Sequence, residues 1–147
     1  MKKKIAFVSA LLLALSVQTA EAAVKVTVLN PSKVSTKTGL VTLTVAGLPA
    51  EHGIYISQCM GIDKATNAPS ACNPAKTSKL WVSNLPADQK MGAKSGKGKL
   101  TLKVDKYFKD GDCIHTKCII YVTNDHNATD KTATQAIAFK FGGINLF

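Results

Sequence analysis

Four cysteines, three histidines and a few aspartates are the residues of this chain whose types and spacing could do chemistry. Cys59 and Cys72 bracket a segment rich in Gly, Asp, Asn and Pro, and Cys113 and Cys118 stand five residues apart. Cysteines so placed either hold a soft metal or cross-link the chain. Cys113-x-His115-x-x-Cys118 gathers three zinc-type ligands, but the spacing is unlike the common zinc knuckles, and no metal site is read here. His52, His115 and His126 fall in turn-rich segments, none beside a Ser or Cys in a nucleophile motif, so no catalytic residue is identified and the chain is not read as an enzyme. Asp105, Asp110 and Asp112 cluster without calcium-loop spacing and read as a solvated turn. Gly92-x-x-x-Gly96-Lys97 is one residue short of a phosphate-binding loop, and Gly98 stands where that loop needs Ser or Thr. Asn127-Ala128-Thr129 fits a glycosylation acceptor and reads as a polar loop.

The first residues decide how the cysteines are used. Lys2-Lys3-Lys4, an apolar run from Ile5 to about Val17 and Ala20-Glu21-Ala22 form a secretory signal peptide over 1–22, with the polar Gln18-Thr19 arriving too early for a membrane span. The mature domain is 23–147, secreted, with no membrane span after cleavage. An oxidising destination turns four cysteines into two disulfides, and closeness in sequence pairs Cys59 with Cys72 and Cys113 with Cys118. Chain-entropy estimates put these at about 3 and about 2 kcal/mol. All 19 basic residues of the whole chain are Lys. Removing the leader takes away three of them and Glu21, leaving 16 Lys against 8 acids, a formal +8. Without Arg there is no planar fork for reading bases, so attraction to DNA or another anionic polymer is non-specific.

Strand periodicity then places the candidates. Val24, Val26 and Val28 alternate with Lys25 and Thr27; Val41, Leu43 and Val45 with Thr42 and Thr44; Leu100, Leu102 and Val104 with Thr101 and Lys103. Leu80 and Val82 flank Trp81, and Ile137, Phe139 and Phe141 define a last strand. Ile54 and Ile56 face one way while Tyr55, Ser57 and Cys59 share the other face. Ile120 and Val122 likewise oppose Ile119, Tyr121 and Thr123. Ala87 to Lys99, rich in Gly, Ser and Lys, reads as a mobile loop, and no helix of useful length is expected after the leader. Seven short alternating strands predict an all-β, immunoglobulin-like antiparallel sandwich, and about 125 residues make one domain, read as a monomer.

Ala46-Gly47-Leu48, Gln58-Cys59, Ala71-Cys72-Asn73-Pro74-Ala75, Asp112-Cys113 with its partner at Cys118, and Gln135-Ala136-Ile137-Ala138-Phe139 occur in an order that resembles the neocarzinostatin family, the secreted apoproteins of actinobacteria that carry enediyne chromophores. The resemblance spans nearly the whole mature chain. It implies a groove beside the first disulfide that shelters an apolar, reactive molecule. Carried over by position, that groove is lined by Cys59, Gly61, Cys72, Thr77, Ile119 and Thr123. The family usually has a longer hairpin as one groove wall where this chain has only Asp105 to Asp112.

Strand parity adds Tyr55, Ser57 and Tyr121 to the candidate ligand-binding set. The function expected is a non-catalytic carrier of a small apolar molecule, with no resident cofactor and an aromatic chromophore as non-covalent cargo. The alternative is a Lys-rich surface protein that sits on anionic envelope polymers or DNA without sequence preference.

Overall fold

Valine, isoleucine and threonine at alternate positions set the strands, because β-branched side chains pack well on a pleated surface and every second residue shares a face. The structure, a computed structural model, describes residues 23–143. The leader read at 1–22 lies outside the described residues. In chain order the first elements are β1 (Lys25–Val28), β2 (Leu40–Ala46), β3 (Ile54–Met60), the two-residue strands β4 (Ile62–Asp63) and β5 (Ala68–Pro69), and a 3-10 turn (Lys76–Ser78). Then follow β6 (Lys79–Val82), helix α1 (Pro86–Lys90), β7 (Lys99–Lys103), the short β8 (Tyr107–Phe108) and β9 (Gly111–Asp112), β10 (Cys118–Asn124) and β11 (Gln135–Phe139).

One sheet has the order β1-β2-β7 and the other β11-β10-β3-β6, with every neighbouring pair antiparallel. These seven strands are the expected sandwich; the four short ones pair as two ribbons outside it. Val26, Val28, Val41, Leu43 and Leu102 from the first sheet share one buried core with Ile54, Ile56, Val82, Ile120 and Val122 from the second. Each fully buried aliphatic side chain of this kind contributes about 1.5–3 kcal/mol. The last strand is shorter than its pattern implies. It ends at Phe139, and Phe141 bridges in parallel to Val34, so both rings are buried edge to face at 5.8 Å.

The segment read as mobile is pinned, and it contains a helix. Pro86 starts α1, where its fixed φ suits the first turn and its missing N–H is not needed. The buried Asp88 carboxylate accepts the Ser83 hydroxyl at 2.7 Å. Beyond the helix, Lys94 donates to the Trp81 carbonyl at 2.7 Å and accepts from the Ser83 N–H at 2.9 Å, extending the sheet past β6. Composition misreads this stretch because its fixing contacts are backbone bonds, the buried Asp88 carboxylate and the side-chain amides of Gln89 and Asn84, which leave no apolar pattern.

The cysteine pairs are Cys59 with Cys72 and Cys113 with Cys118. β6 covers the edge of β3 only from Ile54 to Ser57. Residues 71–73 take over from there, through Met60 N–H to the Ala71 carbonyl and Asn73 N–H to the Gln58 carbonyl at 2.8 and 2.9 Å. Beneath this junction the fully buried Gln58 accepts from Asn73 Nδ2 and the Asp105 N–H, and donates to the Asp105 carbonyl. Asn73 Nδ2 also reaches Ser78 Oγ and Asp105 Oδ2 at 3.0 and 2.9 Å. Asp105 therefore belongs to a packed polar node, not to the solvated turn read from the aspartate cluster. The shortened 105–112 segment does fold as a hairpin, the β8-β9 ribbon, turning at Asp110 with φ 63°.

Candidate functional site

Strand register arranges the outward face of the four-stranded sheet in rows. Trp81, Tyr55 and Thr123 are cross-strand neighbours, as are Lys79, Ser57, Tyr121 and Ala136, and then Cys59, Ile119 and Ala138. Their neighbours in sequence, Ile54, Ile56, Val82, Ile120 and Val122, are fully buried in the core, so the face assigned to Tyr55, Ser57, Tyr121 and Thr123 is the outward one.

A cleft of about 450 Å³ opens on this face, within the ~300–1,000 Å³ typical of small-molecule sites. The rings of Tyr55 and Trp81 line it together with Leu80 and Cys72. Ser57 and Thr123 bring hydroxyls, and Lys79 brings a charge. Such a set can bury a planar apolar body and orient it through a few polar groups.

The aromatic side of the cleft is held from behind. Asp125, on the loop after β10, is buried; its Oδ2 accepts the Trp81 indole N–H at 2.9 Å and the Gly53 N–H at 2.8 Å, and its Oδ1 accepts the Asn127 N–H at 2.9 Å. Burial pushes this carboxyl up, but the donors from Trp81, Asn127 and Gly53 outweigh it and leave Asp125 below the ordinary carboxylate value. Gly53 has no room for a side chain: a Cβ there would lie 2.4 Å from the Val82 carbonyl and 2.8 Å from Asp125 Oδ2. Tyr55 Oη meets His126 Nδ1 at 2.5 Å, with the three rings of Tyr55, Trp81 and His126 in one cluster at centroid distances of 5.4–6.3 Å. Burial first, and then the charge of Asp125, raises the Tyr55 phenol above its ordinary value, so it stays a neutral hydroxyl at neutral pH.

Of the residues expected to bind ligand, Tyr55, Ser57, Cys72 and Thr123 line this cleft. Cys59 and Ile119 lie on the same face but are buried, at 0 % and 4 % exposure, so the Cys59–Cys72 bridge runs from the sheet to the exposed Cys72. Tyr121 is half-buried beside Ser57, one strand further out, and does not line the cleft. Gly61 lies near the Lys117 carbonyl, to which its N–H donates at 2.9 Å, and Thr77 is exposed on the 3-10 turn; neither lines the cleft. Lys79 has no reading from sequence, and Leu80 reads only as a strand residue beside Trp81. Trp81, opposite in parity to Leu80 and Val82, reads as a ligand or partner contact or equally as a cap on the sandwich, and it lines the cleft. Parity was the signal available for Lys79 as well, since it shares Trp81's face. Asp125 and His126 gave none, because a polar loop cluster does not announce a partner 44 residues away.

The histidines stand apart from one another in their contacts. His52 Nδ1 lies 3.0 Å from the Gly53 carbonyl, and His115 makes an exposed 2.8 Å contact with Asp112, whose carboxyl is lowered chiefly by that bond. Among the described residues no three His, Cys, Asp or Glu side chains gather as a metal site, and no helix is long and apolar enough to cross a membrane.

The model of the neocarzinostatin family matches residues 24–139. Among solved structures, macromomycin is similar with a TM-score of 0.50 at 23 % identity, covering 82 % of this chain and 100 % of that one. No curated protein matches the chain.

Proposed function

The chain belongs to the neocarzinostatin family, and on that premise we propose that it is a secreted, non-catalytic protein that carries a small, flat, apolar molecule in the cleft beside Cys72. The observation that carries this reading is the pairing of Tyr55 and Trp81 along an open cleft of about 450 Å³ with the hydroxyls of Ser57 and Thr123 beside them. The site proposed is Tyr55, Ser57, Cys72, Lys79, Trp81 and Thr123, with Tyr121 at its edge and Cys59 and Ile119 beneath.

Trp81 is the single tryptophan of the chain, which makes binding directly readable. A neutral polycyclic aromatic probe is expected to quench Trp81 fluorescence saturably, and Tyr55→Ala to weaken the probe by about tenfold, through a lost ring contact and lost burial. Quenching that does not saturate, or an unchanged affinity in Tyr55→Ala, would count against the carrier reading. Mass spectrometry of the native exported protein would identify a co-purifying cargo.

One observation favours a second activity elsewhere on the molecule. β1, β2 and β7 contain no acidic residue, and their outward face presents Lys25, Lys99 and Lys103 among Thr27, Thr42, Thr44 and Thr101. This face suits an anionic envelope polymer, and salt-sensitive retention on such a polymer tests it.

A further inference from the structure

We infer that the cleft selects aromatic molecules that bear an anionic substituent, seated against Lys79. This rests on the cleft reading above and goes beyond it in naming the charge of the ligand. Lys79 is the single charged side chain lining the cleft. Among the described residues Lys79 has no carboxylate within ion-pair distance. The acid nearest the aromatic end is Asp125, and both its oxygens are already engaged by Gly53, Trp81 and Asn127 behind the indole. At the disulfide end, Asp105 Oδ2 is taken up by Asn73. The cleft therefore shows a ligand one unopposed positive charge and no exposed negative one.

The spacing suits that division of labour. Lys79 and Trp81 are two residues apart on β6 and share its outward face, which separates their Cα atoms by about 6.5 Å. A ring lying against Trp81 and Tyr55 thus brings a carboxylate on its rim toward the ammonium. Ser57 is the cross-strand partner of Lys79, and its hydroxyl can donate to the same anion. A cationic substituent in that position would meet Lys79 unshielded.

The test compares three probes of one shape, pyrene-1-carboxylate, pyrene-1-carboxamide and pyren-1-ylmethylammonium, by fluorescence anisotropy at physiological ionic strength. The carboxylate is expected to bind about tenfold more tightly than the amide, the scale of a hydrogen bond to a charged group, and the ammonium most weakly. Lys79→Gln should bring carboxylate and amide level, while Lys25→Gln, the same loss of net charge on the other sheet, should leave the preference intact. Equal affinity of carboxylate and amide for the native protein, or a preference that survives Lys79→Gln, overturns the inference and leaves the cleft reading standing. If none of the three probes binds the native protein, the cleft reading fails and the inference with it. Should Lys79→Gln fail to fold, the comparison of the three probes on the native protein decides alone.

Discussion

Asp125 holds the indole of Trp81 from behind the cleft without lining it. Its carboxylate receives three N–H donors from three separate places, the turn before β3, the outward face of β6 and its own loop. Removing its charge leaves these buried donors facing a neutral amide, so Asp125→Asn is expected to cost about 1–3 kcal/mol and to loosen Trp81. The pH dependence follows from the direction of the shift. The folded-state carboxyl lies below its ordinary 3.8, so its contribution is complete above that value and is lost as pH falls through the lowered one. Melting temperatures of the native protein measured downward from pH 5 should therefore drop more steeply than those of Asp125→Asn; parallel curves would remove Asp125 from the role. The sequence showed that Trp81 faces away from the core, because parity is local. It could not show what fixes the indole, because Asp125 lies in a polar cluster whose long-range partners leave no periodic trace.

Among elements, those with strict alternation were legible and those fixed by polar contacts were not. The register of β3 and β10 follows from Ile54, Ile56, Ile120 and Val122, since a slip of one residue would expose all four. Gln58 breaks that pattern by standing on the core side, fully buried. Its partner Asp105 is 47 residues away, so the sequence offers only the anomaly of a polar residue at an inward position. The 87–99 segment is the plainest case. Asp88 ties α1 to Ser83, and the following turn returns Lys94 to the Trp81 carbonyl. Asp88→Ala is expected to free this segment without unfolding the sandwich, whose core residues lie elsewhere. Hydrogen exchange at the Lys94 amide should speed up by about tenfold or more, in keeping with the loss of a buried hydrogen bond, while the Ile120 amide keeps its protection. Equal loss at both amides would mean that the helix is part of the cooperative core.

Taken whole, the molecule divides its two sheets between two kinds of surface. The four-stranded sheet carries the cleft, bracketed along β3 by the Cys59–Cys72 bridge near one end and the Gly53–Asp125 anchor at the other. The three-stranded sheet turns a Thr and Lys face the opposite way, with Thr27 beside Thr44, Thr42 beside Thr101 and Thr44 beside Lys99. If that face sits on anionic polymer, its lysines act together and by charge alone, so each adds to the salt dependence of binding and none reads sequence. Changing Lys25, Lys99 and Lys103 together to Gln should weaken binding to polyglycerol phosphate and reduce the slope of log affinity against log salt by about 2–3, one unit or slightly less per lost contact. The matched control changes Lys64, Lys76 and Lys131, three exposed lysines outside that sheet, and alters net charge equally. A control that weakens binding as much would show that the whole charge, not this face, draws the polymer. A tenfold preference for one duplex DNA sequence over another would also contradict the reading, because flexible ammonium groups carry no fixed pattern of donors to match a base edge.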